Sequence, residues 1–212
     1  MLALSPEFPH QKPNESDEFH QKSPITAGTI LKPARLGKQM ARISQDHPLY
    51  KMMAELVNQE LNHHIGSGYT TESEEYLTHL LLDFIRTDRL YSLRDPDGHP
   101  ITSIIEMLAE GDVRLRADSF ERERQVHKHI GDFILFWSGL YPEHLHKFKL
   151  NQITDLTCDY TRQGIQSYSL VSSFNHPPFD REAPTFSNLS QGFPDYAFIL
   201  GQVGRKAGLY AA

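Results

Sequence analysis

Two glutamate–histidine pairs are the residues of this chain best placed to do chemistry. Glu60 and His63 form an E-x-x-H, and Glu123 and His127 form an E-x-x-x-H. Side chains three or four residues apart on a helix share a face, so each pair could offer a carboxylate and an imidazole to one metal ion. Di-iron carboxylate bundles place Glu-x-x-His on two helices and a single Glu on each of two others. Here the second pair has the wrong spacing and no further inward Glu residues are evident, so that full pattern is absent. What remains is a candidate metal set of Glu60, His63, Glu123 and His127. The plainer reading is that both Glu residues are buried carboxylates needing a cationic partner, which nearby His residues or Arg116, Arg122 and Arg124 could supply. That reading is preferred.

Other polar spacings carry less. Glu75, His79 and Asp83 repeat at i, i+4 and i+8, but they lie opposite an apolar face, where a solvated surface explains them. His144-x-His146 follows Pro142 and suits an exposed turn. Cys158 lies off its helix's apolar stripe, with no His fixed near it as a base. Ser138-Gly139 lacks the G-x-S-x-G elbow, and there is no phosphate loop or dinucleotide fingerprint. No catalytic residue and no cofactor is indicated. The aromatic stripe Phe133, Phe136, Trp137 and Tyr141 reads as core.

These residues must be positioned by helices. Asp46-His47-Pro48 opens the first, with Leu49, Met53, Leu56 and Val57 on one stripe, Glu60 within it and His63 at its shoulder. Thr71-x-x-Glu74 and Ser103-x-x-Glu106 read as capping boxes for two more. Between them, 90–102 reads as a short β-ribbon around an Asp95-Pro96-Asp97-Gly98 turn. Asp118-x-x-Glu121 caps a central helix running to Tyr141 and closed by Pro142. On it Val126, Ile130, Phe133, Ile134, Trp137 and Leu140 share a face, His127 stands beside that face, and His129 points elsewhere. Gly131 leaves room for a neighbouring helix. A further helix spans about 154–174, with Gly164 and Ser167 allowing close packing. A last one begins near Pro184, breaks at Gly192-Phe193-Pro194 and resumes to about Val203.

The chain has 212 residues, enough for one domain with an extension. A net charge of −6 argues against a nucleic-acid partner. A single cysteine excludes an internal disulfide and suits a reducing, cytoplasmic setting. The N-terminus lacks the basic region and apolar run of a signal peptide, and the apolar run Phe133–Tyr141 is short of the ~20 residues that span a membrane. Proline-rich residues 1–45 read as a flexible N-terminal arm, 46–206 as a single helical domain and 207–212 as a frayed C-terminus.

Several motifs resemble a family of uncharacterised bacterial all-helical proteins. They are Tyr76-Leu77 with Leu80-Leu81, Asp88-Arg89-Leu90, Leu93-Arg94-Asp95 and Glu106-Met107-Leu108. Ser119 through Arg124, His129-Ile130-Gly131-Asp132 and Leu140-Tyr141-Pro142-Glu143 continue the likeness, which covers about residues 47–174. The resemblance implies a helical fold and names no activity.

The expected architecture is an all-α, single-domain bundle of five or six helices. The expected function is a non-catalytic protein-interaction or structural module, with a second copy of the chain or another protein as its partner. The alternative is a metal- or small-molecule-binding bundle with an interior Glu/His site.

Overall fold

The computed structural model describes residues 43–95, 97–145 and 159–209, which fall in one compact unit. They are all-α, as expected, but divided more finely than five or six helices. Eight α-helices lie wholly within them: α1 (Pro48–His64), α2 (Thr71–Phe84), α3 (Thr87–Leu90), α4 (Ile104–Gly111), α5 (Phe120–Leu140), α6 (Tyr160–Ser173), α7 (Ala183–Gln191) and α8 (Phe193–Lys206). Residues 142–145 are helical as well. The excess comes from the one-turn α3 and from Gly192, which separates α7 from α8. No described helix is long and apolar enough to cross a membrane.

Helix starts follow side chains that satisfy otherwise unpaired backbone N–H groups. The His47 ring accepts from the Leu49 N–H at 3.1 Å, with Pro48 in the first helical position. Ser103 accepts from the Glu106 N–H. Two starts differ by one residue from the expected boxes: Thr70, not Thr71, caps α2, and Ser119, not Asp118, caps α5. In each case the residue in extended conformation wins, and its hydroxyl accepts from the N–H three positions on. Asp159 caps α6, so that helix opens at Tyr160; the expected turns at 154–158 lie outside the described residues, as do Cys158 and His146.

The expected ribbon at 90–102 shrinks to one antiparallel bridge between Arg94 and Pro100, while its turn is present with Gly98 at φ +86°. Of the proposed arm, only residues 43–45 are described: Ile43 packs on the core and the Gln45 side chain donates to Glu75.

Helix α5 is the axis of the fold, packed against α2, α4, α6 and α8, while α1 bridges α2 and α8. Every residue from His129 to Trp137 is buried. Nine consecutive buried positions exceed two helical turns, so α5 is enclosed on all sides from 129 to 137, while its first half keeps an exposed face at Glu121 and Gln125. Val126, Ile130, Ile134 and Leu140 are fully buried, each contributing about 1.5–3 kcal/mol by the usual area argument. Close approach depends on glycine at two places. A methyl group on Gly131 would stand 2.5 Å from the Tyr168 ring, and one on Gly139 would stand 2.8 Å from the Ala197 carbonyl of α8.

Candidate functional site

The four sequence-derived candidates lie as two pairs, Glu60 and His63 on α1 and Glu123 and His127 on α5. Glu60 is buried on α1 and is held by the Lys206 ammonium of α8 and by His64 Nε2 at 3.3 Å. The Lys206 hydrogen bond outweighs burial and holds the Glu60 carboxyl below its ordinary range. His63 is exposed and packs edge-on against His64. Glu123 is half-buried, within electrostatic reach of Arg114. His127 is half-buried, with Nδ1 3.3 Å from the Ser167 hydroxyl; burial pushes its pKa down while Asp112 opposes this.

No three of the four belong to a group whose ligating atoms approach within 4.8 Å of one another. Among the described residues only Asp95, Asp97 and His99 do so, on the 95–98 turn, where both Asp95 oxygens already meet His99. The arginines are also engaged elsewhere than expected. Arg124 donates to Glu182 at 2.7 Å, while Arg116 and Arg122 approach Glu110 at 3.9 and 3.5 Å.

His129 corrects the reading that it points away from the core. It is only 9 % exposed, between the Phe84 and Phe133 rings, with Nδ1 3.3 Å from the Ser92 hydroxyl. Burial pushes its pKa down to about 4, against the opposing charge of Asp132.

A carboxylate that the helix-face analysis passed over organises the strongest polar cluster. Asp132 lies one position after Gly131 on α5 and is 5 % exposed. Its Oδ1 accepts from the Tyr76 hydroxyl of α2 and, at 2.8 Å, from the Tyr168 hydroxyl of α6; its Oδ2 accepts from Lys128 Nζ at 2.7 Å. Three donors from three helices offset the cost of burying a carboxylate. Burial and then the Asp132 charge drive the pKa of both tyrosines well above their ordinary value. The phenols therefore stay protonated and act as donors. A Lys–Asp pair at i,i+4 was a readable signal, but nothing local announced the two tyrosines.

Tyr76, Lys128 and Asp132 of this cluster floor a cleft of about 310 Å³ between α2, α5 and α7. One wall is the α2 face bearing Glu72, Glu75, His79 and Asp83, so the ladder taken for a solvated surface lines a concavity instead. Arg181, Glu182, Thr185 and Phe186 form the other wall. Arg124 fixes that wall to α5: it is 5 % exposed, ion-paired to Glu182, and its guanidinium lies 4.1 Å above the Phe179 ring. Lys128 Nζ lies 4.9 Å from the Tyr76 ring and 5.9 Å from that of Phe186. Five carboxylates (Glu72, Glu75, Asp83, Asp132, Glu182) and two cations (Lys128, Arg181) line the cleft, net −3 with histidine neutral.

Two other concavities differ in kind. One is walled by apolar side chains such as Phe84, Phe136 and Trp137, and the other lies along the Gly139–Gly201 crossing. Neither places a buried charged side chain at its floor.

Comparison with known proteins finds no matching family model, no matching curated protein and no matching solved structure.

Proposed function

We propose that this chain is a small-molecule-binding helical domain, with the cleft between α2, α5 and α7 as its site. The observation that carries this reading is the buried Asp132 at the cleft floor, its donors drawn from α2, α5 and α6. Concave sites for small ligands combine aromatic walls with a few fixed polar groups, and this cleft falls at the lower end of their usual volumes. Tyr76, Lys128 and Asp132 sit on helices, and Arg124 braces the turn that carries Arg181 and Glu182 ahead of α7, so the arrangement is formed before any ligand arrives. No nucleophile–base pair is assembled there, and binding rather than catalysis is the activity proposed.

The interaction-module alternative rests on Val113, Leu115 and Phe120, exposed apolar side chains around the α4–α5 connection. They line no enclosed space, so we place them second.

The test is to titrate isotopically labelled protein with a panel of cationic, anionic and neutral small molecules while recording backbone amide shifts. Saturable shifts centred on Tyr76, Lys128, Asp132 and Phe186 are expected for at least one chemical class. Shifts confined to the other two concavities, or none at all, would overturn the assignment.

A further inference from the structure

We propose that the ligand of this cleft is an aliphatic polyamine, bound as an extended chain of ammonium groups. The inference rests on the reading of the cleft as a small-molecule site and adds the ligand's chemistry.

The sign of the charge comes first. A lining of net −3 raises the local concentration of cations and repels anions, and low-dielectric walls focus that field. The choice between organic and inorganic cations follows from geometry. A hard divalent ion needs several oxygen ligands converging at 2.0–2.6 Å. No group of three carboxylate or imidazole ligand atoms in the cleft converges to within 4.8 Å, the only such group among the described residues being on the 95–98 turn. Aromatic faces, by contrast, attract ammonium groups through the ring quadrupole and pack against the hydrocarbon stems that carry them.

The molecule itself shows that such a group fits. The Lys128 ammonium is seated on Asp132 at 2.7 Å and beside the Tyr76 and Phe186 rings at 4.9 and 5.9 Å. A carboxylate with two rings is a binding arrangement for an alkylammonium, and here the chain fills it with its own side chain. The α2 wall then sets the spacing of the amines, although Glu75 there also meets the Gln45 amide and His79. Glu72 and Glu75 stand three residues apart on α2, about 4.5 Å along its axis, and Asp83 lies eight residues further, about 12 Å beyond Glu75. One helical turn, about 5.4 Å, is close to the reach of three or four methylenes between amines. A linear polyamine can therefore set two neighbouring ammonium groups against Glu72 and Glu75, with its methylenes running over Leu80 and Phe186 toward Asp83.

Isothermal titration with spermidine as probe, at matched ionic strength, tests this on the full chain. Magnesium, glutamate and benzamide serve as the inorganic-cation, anion and neutral controls. We expect saturable one-to-one binding of spermidine, not displaced by magnesium at equal ionic strength. The double variant Glu72→Gln/Glu75→Gln removes two exposed charges and should weaken binding about fivefold or more, with its circular dichroism unchanged. Lys128→Met frees the ring-and-carboxylate seat and should tighten spermidine binding. If glutamate or benzamide shifts the cleft resonances and spermidine does not, the polyamine assignment falls while the small-molecule site stands. If no probe perturbs the cleft, both fall. Spermidine binding that is indifferent to the double variant and displaced by magnesium would reduce it to a diffuse ion atmosphere and overturn the assignment.

Discussion

Replacing His129 by leucine removes the one core imidazole of α5 at nearly constant volume, and the structure sets what that does to stability as pH falls. The folded ring is held neutral, its pKa pushed down to about 4 by burial and secondarily by Lys128 and Arg122, against the pull of Asp132. In the unfolded chain the same ring titrates near its ordinary 6.5. Between those values the unfolded state binds a proton that the folded state refuses, so stability must fall as pH falls through this window. For one proton and this pair of values the loss is about 2 kcal/mol by pH 5 and about 3 kcal/mol by pH 4, relative to pH 7. The single tryptophan, Trp137, is buried on the same helix and reports unfolding by its fluorescence. Urea denaturation of wild type and His129→Leu across the range provides the assay. The depressed pKa of His127 also contributes to acid sensitivity, but it does so in both proteins, and the difference between the curves isolates His129. The wild type should lose stability faster than the variant by these amounts. Parallel curves would refute the reasoning, since they would mean that the folded ring takes up its proton as freely as the unfolded one.

Gly131→Ala should lower stability by roughly 1–3 kcal/mol, the usual cost of overpacking, because its methyl group would stand 2.5 Å from the Tyr168 ring; a thermal midpoint unchanged from wild type would show that the ring yields freely. Glu60→Gln should cost about 1 kcal/mol at neutral pH, discounted for the half-exposed Lys206 partner. Since the Glu60 pKa is lowered from 4.5, its stabilisation is present above that value and is lost as pH falls through the folded pKa. The variant's stability should therefore depend less on pH below about 4.5, without change in metal content.

The all-α class and the central role of α5 were legible because apolar periodicity and caps are local signals. Ser103 and Pro48 mark their helix starts correctly, and the one-residue errors at Thr70 and Ser119 arose where two capping residues stand side by side. Glu60 is ion-paired with Lys206 and His64 and not with any of the three arginines considered as partners. Lys206 is distant in sequence, and only the packing of α1 on α8 brings it near. The larger miss was treating α5 as a helix with one buried face. The stretch 129–137 is enclosed on all sides and has no solvated face to which a polar residue can be assigned, so one-face periodicity misplaces His129 and passes over Asp132. The cleft was invisible for a related reason. Its α2 wall looks solvated in sequence, and its concavity exists only because α7 and the Arg124–Glu182 pair raise a second wall.

Gly131 and Asp132 are best understood as one device. The missing side chain at 131 lets the Tyr168 ring lie directly on the α5 backbone, with ring carbons 2.5 and 2.6 Å from where a Cβ would be. That seating brings the Tyr168 hydroxyl to 2.8 Å from the carboxylate of the next residue. Any larger residue at 131 pushes the ring outward and takes the phenol from Asp132 with it, leaving a buried carboxylate short of a donor. The same ring meets Phe186 at 5.6 Å, so a displacement there also moves the aromatic wall of the cleft. The close helix crossing and the polar floor therefore cannot be altered independently: a packing change at position 131 is also a change in the site.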